Sequence, residues 1–166
     1  MSRRKAGYKS KRNGQRFEEL IELSCNMYKR ENKAFIQKTP ENTRFLRPLK
    51  GGKFVAVHDK KSQPDFQGTL KGGQSVVFEA KHTNSTNIRF DRLQMHQKRE
   101  LVKHRQLGAE AFLLISFEIN SPYKRVYKVP IKDWLLLENK LDKKSVNEDD
   151  LKDYHVLVQN DMIRFL

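Results

Sequence analysis

The sequence predicts an α/β domain, a mixed sheet flanked by helices from which a basic β-hairpin projects. Three observations carry that prediction. Apolar residues keep helical spacing over residues 14–31 and again over 89–106. The stretch from Ala111 to Ile119 is almost wholly apolar, as a strand buried on both faces of a sheet should be. Gly51-Gly52 and Gly72-Gly73 each stand between two strand-like limbs, where hairpins turn. At 166 residues the chain is long enough for one domain with a substantial core, and it contains no internal repeat.

Residues 1–13, rich in Arg, Lys, Gly, Ser and Asn, read as a disordered basic arm, and residues 14–166 as a single domain. From Gly14 to about Glu31 the residues Phe17, Leu20, Ile21, Ser24, Cys25 and Tyr28 define the inward stripe of a helix. Glu18 borders that stripe. It is either the edge of a site or a favourable charge in a first helical turn. Ala34 to Gln37 is a short first strand. Residues 39–61 follow as a basic hairpin turning at Gly51-Gly52, and Lys38 through Lys61 include seven Lys and Arg against Glu41 and Asp59. Such a hairpin suits DNA contact; the plainer reading is a pair of edge strands guarded by lysines.

Asp65 to Leu70 and Gln74 to Lys81 form a second hairpin around Gly72-Gly73. The helix over 89–106 turns Phe90, Leu93, Leu101 and His104 inward, with Gln97 in the same line. A polar side chain there needs a partner, so Gln97 is either a satisfied core amide or faces a polar site. Arg92, Lys98, Arg99, Lys103 and Arg105 give the flanks of this helix a basic surface of the kind phosphates seek. After the Ala111–Ile119 strand come a turn at Ser121-Pro122 and a strand over Arg125 to Val129. Pro130 opens a short helix through Trp134 and Leu137. Ser145 and Glu148 fit a capping box for a last small helix, and His155 to Val158 and Met162 to Leu166 are strand-like tails.

Thirty-four Lys and Arg against 20 Asp and Glu leave a formal charge of +14, which predicts a polyanionic partner, nucleic acid first. A merely soluble basic protein, or one that binds ribosomal RNA, has the same balance. The uneven distribution favours a binding face: residues 1–13 carry six basic side chains and no acid, whereas Glu138, Asp142, Glu148, Asp149, Asp150 and Asp153 gather near the C-terminus. No apolar stretch follows the basic N-terminus as in a signal peptide, and no apolar run reaches membrane-spanning length. One cysteine, Cys25, excludes an intramolecular disulfide framework and a zinc ribbon, and a cytoplasmic, reducing compartment is expected.

The chemistry concentrates at Pro64-Asp65 and Glu79-Ala80-Lys81. In a strand from Ser75 to Lys81, residues 77, 79 and 81 share one face, so Glu79 and Lys81 point together. Two carboxylates are hard ligands for a Mg²⁺ that keeps most of its waters. Such an ion polarises a phosphate and lowers the pKa of bound water, and the lysine can orient that water or offset developing charge. A turn and an ordinary ion pair at a sheet edge are the plainer readings of the same residues. The chemistry also constrains register. A two-residue Gly72-Gly73 loop puts Asp65 opposite Ala80, on the wrong face from Glu79. A three-residue loop, Gly72 to Gln74, or a bulge near Gly68 is therefore required.

The ordered set Gly14-Gln15-Arg16-Phe17-Glu18, a long basic insertion, Asp65-Phe66-Gln67-Gly68, Phe78-Glu79-Ala80-Lys81 and His96-Gln97 resembles the PD-(D/E)xK nuclease superfamily. Within it the chain is similar to the RecU-type Holliday junction resolvases, from Gly14 to the C-terminus. Pro64 stands where that family often has a polar residue and suits the wider superfamily. The resemblance implies a restriction-endonuclease-like fold and a metal-dependent endonuclease that resolves four-way DNA junctions in recombination and repair. It implies that Asp65, Glu79 and the carbonyl of Ala80 ligate Mg²⁺, with Mn²⁺ able to substitute, and that Lys81 positions or activates water. Glu18 would lie in the outer part of the site and Gln97 would support it. The hairpin would be the family's stalk, engaging the junction centre, and the enzyme would act as a homodimer. DNA contacts are then expected from Arg3, Arg4, Lys11 and Arg12 of the arm, from Arg44, Arg47, Lys50, Lys53, Lys60 and Lys61 of the stalk, and from Arg92, Lys98 and Arg99. Two rivals remain: a nuclease of the same superfamily acting on duplex or other DNA, and a non-catalytic nucleic-acid-binding protein.

Overall fold

In the computed structural model, which describes residues 3–40, 43–58, 63–117 and 125–166, a seven-stranded mixed sheet separates two apolar layers. The chain enters through α1 (Arg3–Arg30) and β1 (Ala34–Lys38); β2 (Thr43–Pro48) and β3 (Phe54–His58) then pair only with each other. Next come β4 (Phe66–Leu70), β5 (Ser75–Thr83), β6 (Asn87–Arg89), a 3₁₀ turn at Phe90–Arg92 and α2 (Met95–Gln106). The remainder is β7 (Glu110–Phe117), β8 (Val126–Pro130), α3 (Ile131–Lys140), β9 (Ser145–Asn147), a second 3₁₀ turn, β10 (His155–Gln159) and β11 (Met162–Arg164). The sheet order is β1-β4-β5-β7-β8-β10-β11, while β6 and β9 form a small separate ribbon. Among the described strands only β5 and β7 run parallel, as the α2 crossover between them allows.

Alternation along β5 divides the core. Val76 and Phe78 face α1, where Phe17, Ile21 and Tyr28 bury the inward stripe of that helix. The rings of Phe66, Phe78 and Phe112, from three neighbouring strands, stack with centroids 4.9 and 4.7 Å apart. Val77 faces the other way, into a layer closed by Leu101 of α2 and Trp134 of α3. Each such fully buried side chain contributes about 1.5–3 kcal/mol. The expected central strand holds over its described part: Ala111 to Phe117 is buried throughout, and Glu118 and Ile119 lie outside the described residues. Cys25 is a buried core thiol, pushed up to about 12 chiefly by that burial. Among the described residues, no helix is long and apolar enough to cross a membrane.

Three local expectations are corrected. The segment expected as a disordered arm is helical from Arg3, because α1 extends through it. Ala, Lys and Arg are good helix formers, and an existing downstream helix spares them the cost of nucleation. The helix expected from residue 89 opens instead as β6 and a 3₁₀ turn, with α2 starting at Met95 and His104 only half-buried. Ser145 belongs to β9, whose pairing with β6 overrides the capping-box pattern. The reciprocal cap lies two residues on: Asn147 N–H donates to Asp150 Oδ2 at 2.8 Å, and Asp150 N–H to Asn147 Oδ1 at 3.0 Å. The turn expected at Ser121-Pro122 lies outside the described residues.

The β4–β5 register is the one the chemistry requires, reached by a different loop. Thr69 pairs with Ser75 and Phe66 with Phe78; Leu70 N–H donates to Gln74 O at 2.8 Å. The loop is thus Lys71 to Gly73, one residue earlier than expected, with Gly72 and Gly73 at φ 96° and 94°. Gly68 makes no bulge. Its missing side chain admits β1, since a Cβ there would meet the Phe35 carbonyl oxygen at 2.1 Å.

Candidate active site

The site forms where β4 begins beside the middle of β5. Thr39, buried at the end of β1, clamps the approach: its N–H donates to Asp65 O at 2.8 Å and its Oγ1 to Pro64 O at 2.6 Å. Extending the β4–β5 register sets Asp65 opposite Glu79, and opposed residues share a face. Ala80 N–H donates to Asp65 Oδ2 at 3.2 Å. A strand residue directs its N–H and C=O toward the same neighbour, so the Ala80 carbonyl faces the Asp65 edge as well.

Glu79 is 1% exposed and receives two donors on one oxygen. Lys81 Nζ lies 2.9 Å from Glu79 Oε2, and Gln97 Nε2 donates to the same atom. Lys81 Nζ also donates to Gln97 Oε1 at 3.2 Å. Gln97 is therefore the polar member of an inward line that faces a polar site. It has a second duty, because its Oε1 accepts Gln94 N–H at 3.1 Å in a capping box that starts α2. The helix terminus and the Glu79–Lys81 cluster are held by one amide.

Burial pushes the Glu79 carboxyl up to about 8; Lys81 opposes that shift and the neighbouring Asp65 reinforces it. A buried carboxyl crowded by a second one is a place where a divalent cation relieves an existing penalty. The donor set is two carboxylates and a backbone carbonyl, all hard oxygen. Among the described residues no three His, Cys, Asp or Glu come together as a metal cluster. Such a sparse, all-oxygen set fits a Mg²⁺ that keeps several waters, rather than a closed zinc site.

The other expected residues are spread around this centre. Glu18 sits on α1 and pairs with Lys38 Nζ at 2.8 Å, which also lies 3.5 Å from Glu22. Lys38 directly precedes the clamping Thr39, so Glu18 borders the site through β1. The hydrogen bond that Lys38 donates to Glu18 raises the Lys38 pKa. Arg12, Arg47, Lys50, Lys53, Arg92 and Arg99 are exposed. Lys98, expected on the DNA-facing surface, is instead committed to Glu138 of α3, with Nζ 2.5 and 2.6 Å from its oxygens. Packing of α2 against α3 brings the two together across 40 residues of sequence. The side chains of Arg3, Arg4, Lys11 and Arg44 lie outside the described residues, as do Lys60 and Lys61 altogether. Sequence reasoning missed Thr39, whose signal was a threonine next to a proline at a strand end. It also missed a polar relay past Lys81, in which Asn13 Nδ2 donates to Asn84 Oδ1 at 3.1 Å and His82 Nε2 lies 3.0 Å from the same oxygen.

This fold has relatives. The chain is similar to the structure of Archaeoglobus fulgidus Hjc, a Holliday junction resolvase from an archaeal hyperthermophile, with a TM-score of 0.50 over 83% of this chain and 91% of that one. Identity is 16%, so the likeness speaks to the fold, a restriction-endonuclease-like mixed sheet flanked by helices. No curated protein sequence matches. The model of the RecU family, recombination protein U, matches residues 12–166, a span holding both carboxylates, Lys81, Gln97 and the β2–β3 hairpin. The chain belongs to the recombination protein U family.

Proposed function

We propose that this protein is a metal-dependent, structure-specific endodeoxyribonuclease that resolves four-way DNA junctions, working as a homodimer. The observation that carries the reading is the convergence of Asp65, Glu79, Lys81 and Gln97 on one face of the sheet, with Glu79, Lys81 and Gln97 bonded to one another and Asp65 held by the Ala80 N–H. Asp65, Glu79 and the Ala80 carbonyl would hold Mg²⁺, with Mn²⁺ able to replace it. When bound, the ion supplies Lewis-acid polarisation of the phosphate and a water of lowered pKa.

The chain's own groups do the rest. Lys81 brings an ammonium into a pocket where it is only 12% exposed, so its charge acts on the phosphate oxygens with little screening. Gln97 Oε1 holds Lys81 Nζ at 3.2 Å and thereby fixes where that ammonium points. Thr39 keeps Asp65 from swinging away, and the Glu18–Lys38 pair braces the same strand end. Affinity comes from elsewhere, from a formal charge of +14 and exposed Arg and Lys on the stalk and helices. The hairpin turns between Leu49 and Lys53, where Leu49 N–H meets Lys53 O at 2.7 Å, and presents Lys50 and Lys53 at its tip. Two stalks related by a two-fold axis match the approximate symmetry of a four-way junction.

The test is cleavage of a four-way junction and of linear duplex with the same sequence, under titration with Mg²⁺ and Mn²⁺. The reading expects metal-dependent cutting of the junction well ahead of the duplex. Equal rates would make this a general nuclease, and no cutting with either metal would leave a binding protein.

A further inference from the structure

Past Lys81, β5 runs on to Thr83 and the chain turns through Asn84, Ser85 and Thr86 into β6. This turn, the 3₁₀ segment and β9 border an open cleft of about 780 Å³. Thr83, Asn84, Ser85, Arg89, Arg92 and Ser145 help to line it, and no carboxylate is among its described lining residues. It abuts the active site on both sides. Thr83 is two strand positions beyond Lys81 on the same face, about 7 Å along. Arg92 is two residues before Gln94, whose N–H binds Gln97.

The donors in this cleft are organised. Asn84 Oδ1 is occupied from beneath by Asn13, only 4% exposed, and by His82, so the amide nitrogen of Asn84 is its remaining donor. Ser85 N–H donates to Thr83 Oγ1 at 3.1 Å, and the hydroxyls of Ser85 and Thr83 donate to Asn87 Oδ1 and O at 3.1 and 3.4 Å, which fixes the turn. Arg89 is held by Asp91 through three contacts of 2.6 to 3.1 Å. Arg92 is exposed and has no hydrogen bond or ion pair among the described residues. An open channel with one guanidinium that makes no hydrogen bond among the described residues, though it lies in the field of Asp91, and the neutral amide donor of Asn84 is equipped for a sugar-phosphate backbone, not for reading base edges.

We propose that this cleft seats the backbone of the strand to be cut, next to the scissile phosphate. Arg92 pairs with a flanking phosphate, while the Asn84 amide nitrogen donates to the same stretch of backbone. The inference rests on the nuclease reading above, and its test is a binding measurement that needs no cutting. Four-way junctions are made with a single neutral methylphosphonate, moved in turn through each phosphate near the branch point, and bound without metal by wild type and by Arg92→Ala. At one position the neutral linkage should weaken wild-type binding about tenfold, the weight of one charge-assisted hydrogen bond. At that position it should leave Arg92→Ala unaffected, the signature of a coupled pair. Arg92→Ala should also flatten the salt dependence of log affinity by about 0.9. Asn84→Asp keeps the Oδ1 acceptor for Asn13 and His82 yet puts a negative charge in the cleft, and should weaken binding at least about tenfold.

Equal methylphosphonate costs in the two proteins at every position, or an unchanged salt slope, would overturn the assignment. Arg92-dependent binding of inorganic phosphate with no methylphosphonate effect would hand the cleft to a small anion and overturn it too. The predicted pattern in a protein that never cuts DNA would refute the nuclease reading and leave the cleft standing. A protein that binds no junction loses both.

Discussion

Replacing Glu79 by Gln should remove most of the pH dependence of stability of the metal-free protein. The Glu79 carboxyl is pushed from 4.5 up to about 8, first by burial, with Asp65 adding and Lys81 opposing. A carboxyl whose folded-state pKa lies above its unfolded value binds more protons in the folded state, so stability falls as pH rises through the interval between the two. Each unit in that interval costs about 1.4 kcal/mol. From pH 5 to pH 7 the wild type should therefore lose about 3 kcal/mol relative to Glu79→Gln, which keeps the shape and cannot titrate. The titration belongs to the Asp65–Glu79 pair as a unit, so Asp65→Asn should shrink the loss in part. The assay is urea denaturation in EDTA at pH 5, 6 and 7 for the three proteins. Adding Mg²⁺ at pH 7 should restore the wild type and leave Glu79→Gln nearly unmoved, because a ligand that binds only the folded state stabilises it. A wild-type-to-variant difference independent of pH would refute the argument that the two carboxyls are crowded in a buried site.

Three further outcomes follow from the geometry. Asp65→Ala or Glu79→Ala should abolish junction cleavage in a gel assay while leaving junction affinity nearly intact, since affinity comes from many dispersed Lys and Arg contacts. Gln97→Leu removes a cap of α2 and the bonds to Lys81 and Glu79; denaturation should show a loss of about 1–3 kcal/mol, and single-turnover cleavage should slow at unchanged junction affinity. Replacing residues 42–58 by a short Gly-Ser loop should collapse the preference for junction over linear duplex in competition binding, while the Mg²⁺-dependent rise in melting temperature persists.

The parts of this account legible in the sequence are those governed by local periodicity. Glu79 and Lys81 share a face because strand side chains alternate, and Gln97 announced itself as a polar residue in an apolar line. Parity alone required the β4–β5 register to shift by one, yet parity cannot say which residue joins the two glycines in the loop, and the choice of Lys71 over Gln74 rests on two glycines at positive φ. What stayed hidden depends on partners distant in sequence. Ser145 looked like a cap until β6 offered it a strand to pair with. Lys98 looked like a phosphate contact until α3 supplied Glu138. Thr39 reaches Pro64 across 25 residues, a partner that its place beside Pro40 at a strand end does not name. Basic composition misled at the N-terminus, because lysine and arginine are compatible with helix as well as with disorder.

The central claim, paired incision of a four-way junction by two copies of this site, is tested most directly with a supercoiled plasmid that extrudes a cruciform. Two coordinated cuts across the branch convert the circle straight to linear DNA. With Mg²⁺, linear product should appear at the cruciform without accumulation of nicked circles, and a relaxed plasmid of the same sequence should stay intact. Nicked circles as the main product, or equal attack on the relaxed plasmid, would contradict the account.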